Sequence, residues 1–380
     1  MPDVLLMIAG VFFLLSIHPY TFYPLTLSLM PRKKLLEPAP EWVRPSVAIC
    51  MSAFNEEKVI IAKVEQLLQM AAVYGPATIH IYVDGAEDNT AALLEPYRDR
   101  LELVVSTQRR GKTAGLKDLV AGSTSQVIAF TDANVQVPAE SLVNLTAALQ
   151  DADVCCASAR LVYTNASETG VSASGAVYWG VEETIKSLES ETIGLIGVDG
   201  AMFVIERDAY SPPPNELIDD LYISVSALLT GKRVVSAQSV LVEERSATRW
   251  EEEFRRKARI SCQATRVHLA LWPRLKAARP AILYAYLSHR VLKWATPVNL
   301  AATMIFLLAG LCLKFGALIP LATTAALAAI LLLGAWVNLP FARMILTALI
   351  SLVGVGWGQF EALFTDRTYA TWTPAATVRH

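Results

Sequence analysis

The stretch VAICMSAFNEEKV, residues 47–59, is the strongest single indication of the fold. Its beginning, Val47–Ser52, is an apolar run that is typical of a parallel β-strand covered on both faces. Asn55 follows, and apolar residues then recur at helical spacing at positions 59, 60, 64, 67 and 68. This strand–turn–helix pattern predicts a sheet with helices packed on it.

The same pattern continues along the chain. Three further strands are predicted, at Ile79–Val83, Leu103–Ser106 and Val127–Thr131. Because strands alternate with helical sequence, we expect an α/β fold with a mostly parallel, doubly wound sheet. Ligands bind at the carboxyl ends of the strands in such sheets. Asn55, Asp84 and Asp132 close three of these strands, so one edge of the sheet is the expected functional edge.

Beyond residue 150 the alternation weakens. Two more strands are predicted, at Val198–Ile205 and Val234–Val242. Trp250–Trp272 has helical periodicity with a basic face. In Tyr284–Trp294, apolar residues lie opposite basic ones, which predicts an amphipathic helix lying on a bilayer surface.

The composition indicates a membrane protein. Of the 380 residues 53% are hydrophobic and 18% are charged, whereas soluble domains carry about 25% charged residues. A bilayer-spanning helix needs roughly 20 apolar residues, and four segments reach or approach this length, at about 4–30, 297–313, 316–337 and 342–362. The first lacks the basic start of a signal peptide. We therefore expect transmembrane segments on both sides of a central domain.

Five parts are expected: an N-terminal transmembrane helix (1–30), a cytosolic domain (31–245), basic amphipathic and interfacial helices (246–296), three transmembrane helices (297–364) and a C-terminal tail (365–380). If all four segments cross fully, both termini lie outside, so one segment is a candidate for re-entrant insertion. Trp372, Pro374 and Arg379 in the tail resemble a cytosolic closing segment, which leaves the side of the C-terminus open.

Charge predicts the orientation. The segment Arg245–Lys293 has twelve Lys or Arg and three acidic residues, and a second basic cluster starts at Arg32. Both clusters border apolar segments, so the positive-inside rule places the central domain in the cytosol, with the lipid bilayer as a partner. The sequence has no pattern typical of nucleic-acid binding. The five cysteines lack metal-ligand spacing and are expected to be reduced.

Two acidic motifs are candidates for chemistry. In Asp132-Ala133-Asn134, two oxygen-bearing side chains in one turn are suited to a hard divalent cation; a turn or a helix cap is the structural alternative. Asp219-Asp220 follows a Pro-rich loop, and a partly desolvated carboxylate suits a general base. Adjacent acids that stabilise the start of a helix are the alternative here.

Two basic motifs are candidates for anion binding. Arg109–Gly115 (RRGKTAG) combines Lys112 with small residues that permit close approach of a phosphate, although it lacks the spacing of a nucleoside-triphosphatase phosphate loop. The cluster Arg255–Arg259 (RRKAR) would suit a pyrophosphate. A basic turn and a solvated or lipid-facing surface are the respective alternatives.

The order of these motifs resembles family 2 glycosyltransferases. The matching segments are VAICMSAFNEEKV (47–59), YVDGAEDNT (82–90), GKTAGLK (111–117), FTDANV (130–135), GVDGAMFVIER (197–207) and DDLYIS (219–224). The branch that they resemble most is the membrane-bound synthases of cellulose, chitin, hyaluronan and poly-N-acetylglucosamine. The resemblance covers about residues 45–262 and implies a GT-A fold with a mixed sheet, a UDP-sugar donor, Mg²⁺ or Mn²⁺, and inversion to a β-linkage.

The resemblance also implies site residues. Those expected at the nucleotide sugar are Ala53, Asn55, Glu56, Asp84, Lys112, Asp132, Arg256 and Arg259. Asp132 and Asn134 occupy the metal motif, and Asp220, preceded by Asp219, matches the catalytic base. Gly200 and Ala201 belong to the acceptor side.

The sequence departs from the family pattern at three positions. Asn134 replaces the second carboxylate of the metal motif, and Val83 stands where many members have Asp. The Gln-x-x-Arg-Trp motif of processive synthases corresponds to Arg256–Ile260, so Arg259 is kept but the tryptophan is Ile260. Without that aromatic platform for a sugar, processive polymerisation is in doubt.

The sequence therefore predicts a membrane-bound, metal-dependent glycosyltransferase of polysaccharide or glycan synthesis. The expected partners are the UDP-sugar donor and a glycan or lipid-linked acceptor. One alternative is a non-processive enzyme that adds one sugar to a lipid carrier or glycolipid. Another is an inactive scaffold among the subunits of a polysaccharide secretion complex. A transporter is disfavoured because the apolar segments carry almost no ionisable residues.

Overall fold

The computed structural model describes residues 1–33, 42–165 and 170–371, with the backbone alone for 170–178. The tail residues Trp372, Pro374 and Arg379 lie outside the described residues. The strands are β1 Val47–Ala53, β2 Ala77–Asp84, β3 Glu102–Ser106, β4 Val127–Thr131, β5 Val154–Tyr163, β6 Met202–Glu206 and β7 Arg233–Glu244.

The helices precede, separate and follow these strands. They are α1 Pro2–Ile17, α2 Phe22–Ser28, α3 Ile60–Tyr74, α4 Thr90–Leu94, α5 Lys112–Gly122, α6 Ser141–Ala147, α7 Gly170–Glu191, α8 Asp219–Leu228, α9 Trp250–Leu275, α10 Pro280–Tyr286, α11 Leu292–Trp294, α12 Thr296–Phe315, α13 Leu318–Trp336 and α14 Pro340–Phe364. A π-helical turn, Leu287–Val291, joins α10 to α11.

All seven strands form one mixed sheet in the order β3-β2-β1-β4-β6-β5-β7. Strands β1 to β4 are parallel to one another, β6 is antiparallel to both β4 and β5, and β7 is parallel to β5. Only β6 is therefore reversed, and the carboxyl ends of β1, β2, β4 and β7 lie at the same edge. This edge, at which the strands end in Ala53, Asp84, Thr131 and Glu244, is called the acidic edge below.

The alternation of side chains along β1 shows why the sheet is covered on both faces. Ala48 and Cys50 belong to one buried cluster with α2, α5, α8, α9 and α10. Ile49 and Met51 belong to a second cluster with α3 and α6. An apolar strand without polar alternation is thus explained by burial on both sides.

Two elements differ from their sequence predictions. The first apolar segment is not one helix, because α1 ends at Ile17 and a turn containing Pro19 separates it from α2. The pyrrolidine ring of proline does not permit a regular helix interior there. Val198–Ile205 is a strand only in its second half, since β6 begins at Met202, and β5 was not predicted at all.

The apolar helices pack in two ways. Helix α1 lies antiparallel to α12, with Phe12 stacked on Phe306 at 5.8 Å and Lys314 Nζ 2.8 Å from Asp3 Oδ1. The second half of α14 instead packs along α9, and Gln359 Nε2 donates a hydrogen bond of 2.7 Å to the carbonyl of Trp294. Among the described residues, four helical segments are long and apolar enough to cross a membrane, namely Pro2–Tyr20, α12, α13 and α14.

Candidate active site

An ammonium group lies between two carboxylates at the acidic edge. Lys112 begins α5 directly after Gly111, whose φ of +92° favours glycine. Lys112 Nζ lies 2.8 Å from Asp132 Oδ1 and 3.2 Å from Asp219 Oδ2. Burial disfavours the charge on Lys112, but Asp132, Asp219 and Asp220 outweigh burial and raise the pKa of this lysine. A fixed cation therefore stands where β4, α5 and α8 meet.

Asp220 is the second residue of α8 and lies beside this cation. Its Oδ1 accepts the backbone N–H of Leu221 at 2.6 Å. A Cβ atom at Gly200 would lie 3.0 Å from Asp220 Oδ2, so the glycine keeps the space beside this oxygen free. Burial, followed by the charge of Asp219, raises the pKa of Asp220 to about 7. A carboxylate that titrates near neutral pH is suited to take a proton from a hydroxyl group.

The loop that follows β4 is fixed by a buried lysine. Lys63, only 2% exposed, donates hydrogen bonds to Thr131 Oγ1 at 3.1 Å and to the carbonyl of Val135 at 2.8 Å. Thr131 Oγ1 in turn donates to the carbonyl of Ala201 at 2.9 Å, which ties the acceptor-side segment to this loop. Burial lowers the pKa of Lys63 to about 7. These contacts hold the segment that carries Asp132.

Asn134 has a carboxylate partner from a distant part of the sequence. Asn134 Nδ2 donates a hydrogen bond of 3.0 Å to Glu244 Oε1 at the end of β7. This bond turns the amide nitrogen of Asn134 toward Glu244 and leaves Asn134 Oδ1 as the oxygen that this residue offers to a cation. Burial raises the pKa of Glu244, and the nearby Asp132 adds to the effect. The Glu244 carboxylate therefore lies next to Asn134, the position at which the second carboxylate of the metal motif is missing.

Helix α9 contributes the two arginines predicted at the donor. Arg259 lies close enough to Asp220, Asp132 and Asp219 for their charges to act on it, although burial and then Arg256 lower its pKa to about 10. Arg256 has other partners: its Nη2 donates to the hydroxyl of Tyr163 at 2.8 Å. The structure therefore places Arg259 near Asp132, Asp219 and Asp220, and Arg256 near Glu244 and Glu253.

Asp84 supports the backbone before α5. It is 3% exposed, and its carboxylate accepts the N–H groups of Arg110 at 2.7 Å and of Gly111 at 3.0 and 3.2 Å. These contacts hold the loop that precedes Lys112, and the contact of Asp84 with uracil or ribose that the resemblance implied stays a prediction. Next to this loop, the guanidinium of Arg109 stacks on the ring of Phe54 at 3.6 Å.

The remaining predicted nucleotide residues lie at the end of β1. Ala53 is the buried last residue of that strand. Asn55 has a φ of +52°, which asparagine tolerates better than most residues, and its Oδ1 accepts the N–H of Glu87 at 2.8 Å. The N–H of Glu56, a residue 7% exposed, donates to Thr90 Oγ1 at 2.8 Å. These three residues border the cluster formed by Lys112 and the acids but are not part of it.

Two residues of the site were missed in the sequence. Lys63 was overlooked because it lies among apolar residues at helical spacing in α3. Its position under the loop after β4 is visible only in the tertiary structure. Glu244 had a usable signal: like Asp84 and Asp132, it is an acidic residue at the end of an apolar strand. The prediction of a shorter strand, ending at Val242, hid this correspondence.

The acidic residues permit a test of whether a divalent cation fits. Among the described ranges 1–33, 42–165 and 170–371, no group of three or more His, Cys, Asp or Glu residues is placed to hold a metal ion. Asp132, whose side chain is 34% exposed, and Asn134 offer one carboxylate and one amide oxygen from the same loop. That set fits Mg²⁺ or Mn²⁺ whose other ligands come from a diphosphate, because such ions use few carboxylates and substrate phosphates.

Comparisons with known proteins agree with this architecture. A family model described as glycosyltransferase like family 2 matches residues 45–263. The structure is similar to a mannosyltransferase from Pyrobaculum calidifontis, solved in complex with GDP-Man and Mn²⁺. The TM-score is 0.72 at 20% identity, covering 96% of this chain and 100% of that chain.

More distant likenesses include glucosyl-3-phosphoglycerate synthase from Mycobacterium tuberculosis. Its complex with phosphoglyceric acid has a TM-score of 0.41 at 11% identity, covering 63% of this chain and 88% of that chain. Its complex with Mn²⁺, UDP and glucosyl-3-phosphoglycerate also has a TM-score of 0.41, at 12% identity, covering 63% and 87% of the two chains. A search of curated proteins found no match.

Proposed function

Because the chain belongs to the glycosyltransferase-like family 2, we propose that it is a membrane-bound, inverting, metal-dependent enzyme that transfers a sugar from a UDP-sugar to a glycan or lipid-linked acceptor. Membership in the family and the GT-A fold confirm the resemblance to family 2 found in the sequence, and the membrane-bound branch stays a prediction. The single observation that carries the proposal is the position of Asp220, whose pKa is raised to about 7 beside the charged pair of Lys112 and Asp132.

In the proposed reaction, an acceptor hydroxyl oxygen attacks the anomeric carbon of the donor while the bond from that carbon to the diphosphate breaks. Asp220 takes the proton of the hydroxyl, because its free oxygen faces the space left by Gly200. Lys112 and Arg259 balance the charge of the departing nucleoside diphosphate. Asp132 and Asn134 would hold Mg²⁺ or Mn²⁺, which when bound neutralises negative charge on the diphosphate.

A membrane location is supported by the four helical segments with the length and composition of membrane spans. A cytosolic position of the domain rests on the basic residues that flank it. Synthesis of an extracellular polysaccharide or its repeat unit is the corresponding biological role.

A second candidate, transfer of one sugar to a lipid carrier or glycolipid, is favoured by Ile260. This residue follows Arg259 on α9 and is half-buried. An isoleucine has no aromatic face on which a growing sugar chain stacks. Product size separates the two candidates, since a polymerase gives a long product and the second candidate a single-sugar adduct.

The test uses the full chain purified in detergent, with release of the nucleoside diphosphate as the readout. The donors are UDP-glucose, UDP-N-acetylglucosamine, UDP-galactose, UDP-glucuronate and, because of the donor of the Pyrobaculum enzyme, GDP-mannose. Each is assayed with Mg²⁺, with Mn²⁺ and with EDTA, in the presence of a lipid extract of cell membranes as the source of acceptor.

We expect metal-dependent turnover of one donor, which Asp220→Asn lowers by roughly 10²- to 10⁴-fold, the usual contribution of a general base. The matched control is Asp208→Asn, because Asp208 is exposed and follows β6, whose carboxyl end lies at the opposite edge of the sheet. Equal activity of the Asp220→Asn and Asp208→Asn proteins would exclude Asp220 as the base. Absence of turnover with every donor would favour the scaffold alternative.

A further inference from the structure

Six buried or half-buried polar side chains form a second cluster, away from the acidic edge. This inner polar cluster comprises Tyr23, Glu182, Glu189, His289, Arg290 and Lys293. His289 and Glu189 are fully buried, and Glu182 is 3% exposed. The cluster connects three elements that are far apart in sequence, namely α2, α7 and the π-helical turn with α11. None of its members takes part in the reaction proposed above.

The contacts within the cluster are short and continuous. Glu189 Oε1 accepts the hydroxyl of Tyr23 at 2.6 Å and lies 2.7 Å from His289 Nδ1. His289 Nε2 lies 3.1 Å from Glu182 Oε1. Lys293 Nζ donates to both oxygens of Glu182, at 2.8 and 2.9 Å. A chain of hydrogen bonds therefore runs from α2 through α7 to α11.

The carboxylate of Glu182 stays charged in this surrounding. Burial by itself raises the pKa of an acid, but Lys293, His289 and Arg290 outweigh burial and hold the pKa of Glu182 well below its usual value. Buried charges of this kind are tolerated only when their partners are fixed in place. The cluster therefore holds the helices that it connects in fixed positions relative to one another.

Arg290 connects this cluster to the acceptor-side segment. Its Nε donates to the carbonyl of Ile196 at 2.6 Å, and its Nη2 donates to the carbonyl of Gly197 at 3.1 Å. Glu189 Oε2 accepts the N–H of Ile196 at 3.0 Å, so two cluster members hold the same peptide segment. Gly200, next to Asp220, is only three residues further along the chain.

Gly197 shows how closely this segment fits against Arg290. Its φ is +94°, and an added Cβ would lie 2.7 Å from Arg290 Nη2 and 2.8 Å from Leu221 Cδ1. Leu221 directly follows Asp220 in α8. The segment is thus packed between Arg290 and the helix that carries the proposed base, and a shift of either neighbour would move it.

Two consecutive residues of the π-helical turn Leu287–Val291 make contacts of this cluster with different partners. His289 faces Glu182 and Glu189 while Arg290 reaches the carbonyls of Ile196 and Gly197. Single π-helical turns inside α-helices are rare and occur frequently at functional sites.

We propose that Arg290 is a positioning residue, which holds the segment 196–200 at the distance from Asp220 that an acceptor hydroxyl requires. This inference rests on the proposed function, since it assigns the segment to the acceptor side. The inner polar cluster then fixes Arg290 relative to α2, which carries Tyr23.

The test compares Arg290→Met, Arg290→Lys and a matched control, Arg274→Met, in the full chain. Arg274 also donates to a backbone carbonyl, that of Ser226, with an Nη2–O distance of 3.4 Å, but it has no contact with segment 196–200. The acceptor probe is the chloroform–methanol extract of cell membranes, titrated at saturating donor. Hydrolysis of the donor without acceptor reports the donor side separately.

We expect Arg290→Met to raise the half-saturating amount of extract about tenfold or more, while donor KM and donor hydrolysis stay within about twofold of the wild type. Arg290→Lys, which keeps the charge and one donor group, should give an intermediate value. Arg274→Met should leave the half-saturating amount unchanged even if it lowers Tm as much as Arg290→Met does. Equal effects of Arg290→Met on donor and acceptor would overturn the inference.

A second readout does not depend on activity. Hydrogen–deuterium exchange of peptides that cover residues 194–201 should be faster in Arg290→Met than in the wild type or in Arg274→Met. If no donor is turned over, the proposed function fails, and exchange still decides whether Arg290 holds the segment. Unchanged exchange in Arg290→Met would reject the positioning role whatever the activity.

Discussion

At the scale of single residues, Asp220 has a pKa near neutrality because burial and Asp219 together disfavour its charged form. Only the ionised carboxylate accepts a proton, so activity follows its deprotonation. We expect log kcat to rise with pH up to about 7 and to level off above it. A pH series from 5.5 to 9 at saturating donor measures this. A flat profile across that range would show that another group limits the reaction.

The raised pKa of Asp220 also predicts that the stability of the folded protein depends on pH. The unfolded chain ionises its aspartates near pH 3.9, so the folded protein holds the proton of Asp220 more tightly between about pH 4 and pH 7. The contribution of Asp220 to stability is therefore present at low pH and is lost as the pH rises through about 7. Asp220→Asn should raise Tm relative to the wild type at pH 8, and the difference should narrow at pH 5. A difference independent of pH would mean that Asp220 is not the group responsible.

At the scale of elements, α14 holds α9 through small residues. A Cβ added at Gly358 would lie 2.1 Å from the carbonyl oxygen of Ala258, and one at Gly354 would lie 3.0 Å from that of Phe254. These two glycines, four residues apart, let the helix backbones approach each other, as small residues do in apolar helix pairs. Because Arg259 is on α9 next to Ala258, this contact determines where the arginine stands.

Gly358→Ala should therefore destabilise the protein by about 1–3 kcal/mol, the range for overpacking, and should raise the donor KM by displacing Arg259. Gly356→Ala is the matched control, because its Cβ would meet only Pro297 Cβ at 3.5 Å, an ordinary contact. In a helix interior this change is neutral or stabilises by up to about 1 kcal/mol. Tm in detergent and donor KM are the measurements. Similar values for the two variants would show that the close approach at Gly358 is unimportant.

At the scale of the whole molecule, the end of α14 decides the topology. Arg266 Nη2 donates to the carbonyl of Thr365 at 2.7 Å, and Gln263 Nε2 donates to that of Tyr369 at 3.3 Å. The chain after α14 therefore lies against α9, on the side of the sheet domain. If α12 and α13 each cross a bilayer, we predict that α14 begins and ends on this side without completing a third crossing, which makes α14 the candidate for re-entrant insertion.

Cysteine labelling tests this topology. Ala317→Cys lies between α12 and α13, and Asp366→Cys lies after α14; both positions are exposed. In intact cells a membrane-impermeant maleimide should label the Ala317→Cys protein, and it should label the Asp366→Cys protein only after permeabilisation. The wild-type protein, with four of its five cysteines buried, gives the background. Labelling of Asp366→Cys in intact cells would instead require a full crossing by α14.

The sequence by itself determined the α/β fold, the family and the local motifs. The apolar run at β1 and the acidic residues at the ends of β2 and β4 are local features. A few neighbouring residues are enough to show that a strand is buried and where it ends. Strand β5 was not predicted, because its mixture of Cys, Ala, Ser and Arg forms no clear local pattern. Its burial comes from β6 and β7, which are distant in sequence.

Only the tertiary structure decided which of these motifs meet. Lys63 lies under the loop after β4, Glu244 pairs with Asn134 from 110 residues away, and His289 lies against Glu182 from 107 residues away. The physical reason is that a buried charge or amide requires a partner in space, and no periodicity along the chain encodes which distant residue provides it. The acidic residues of the site could be predicted from the sequence, whereas the groups that hold them in place, such as Lys63 and Glu244, could be identified only from the packing.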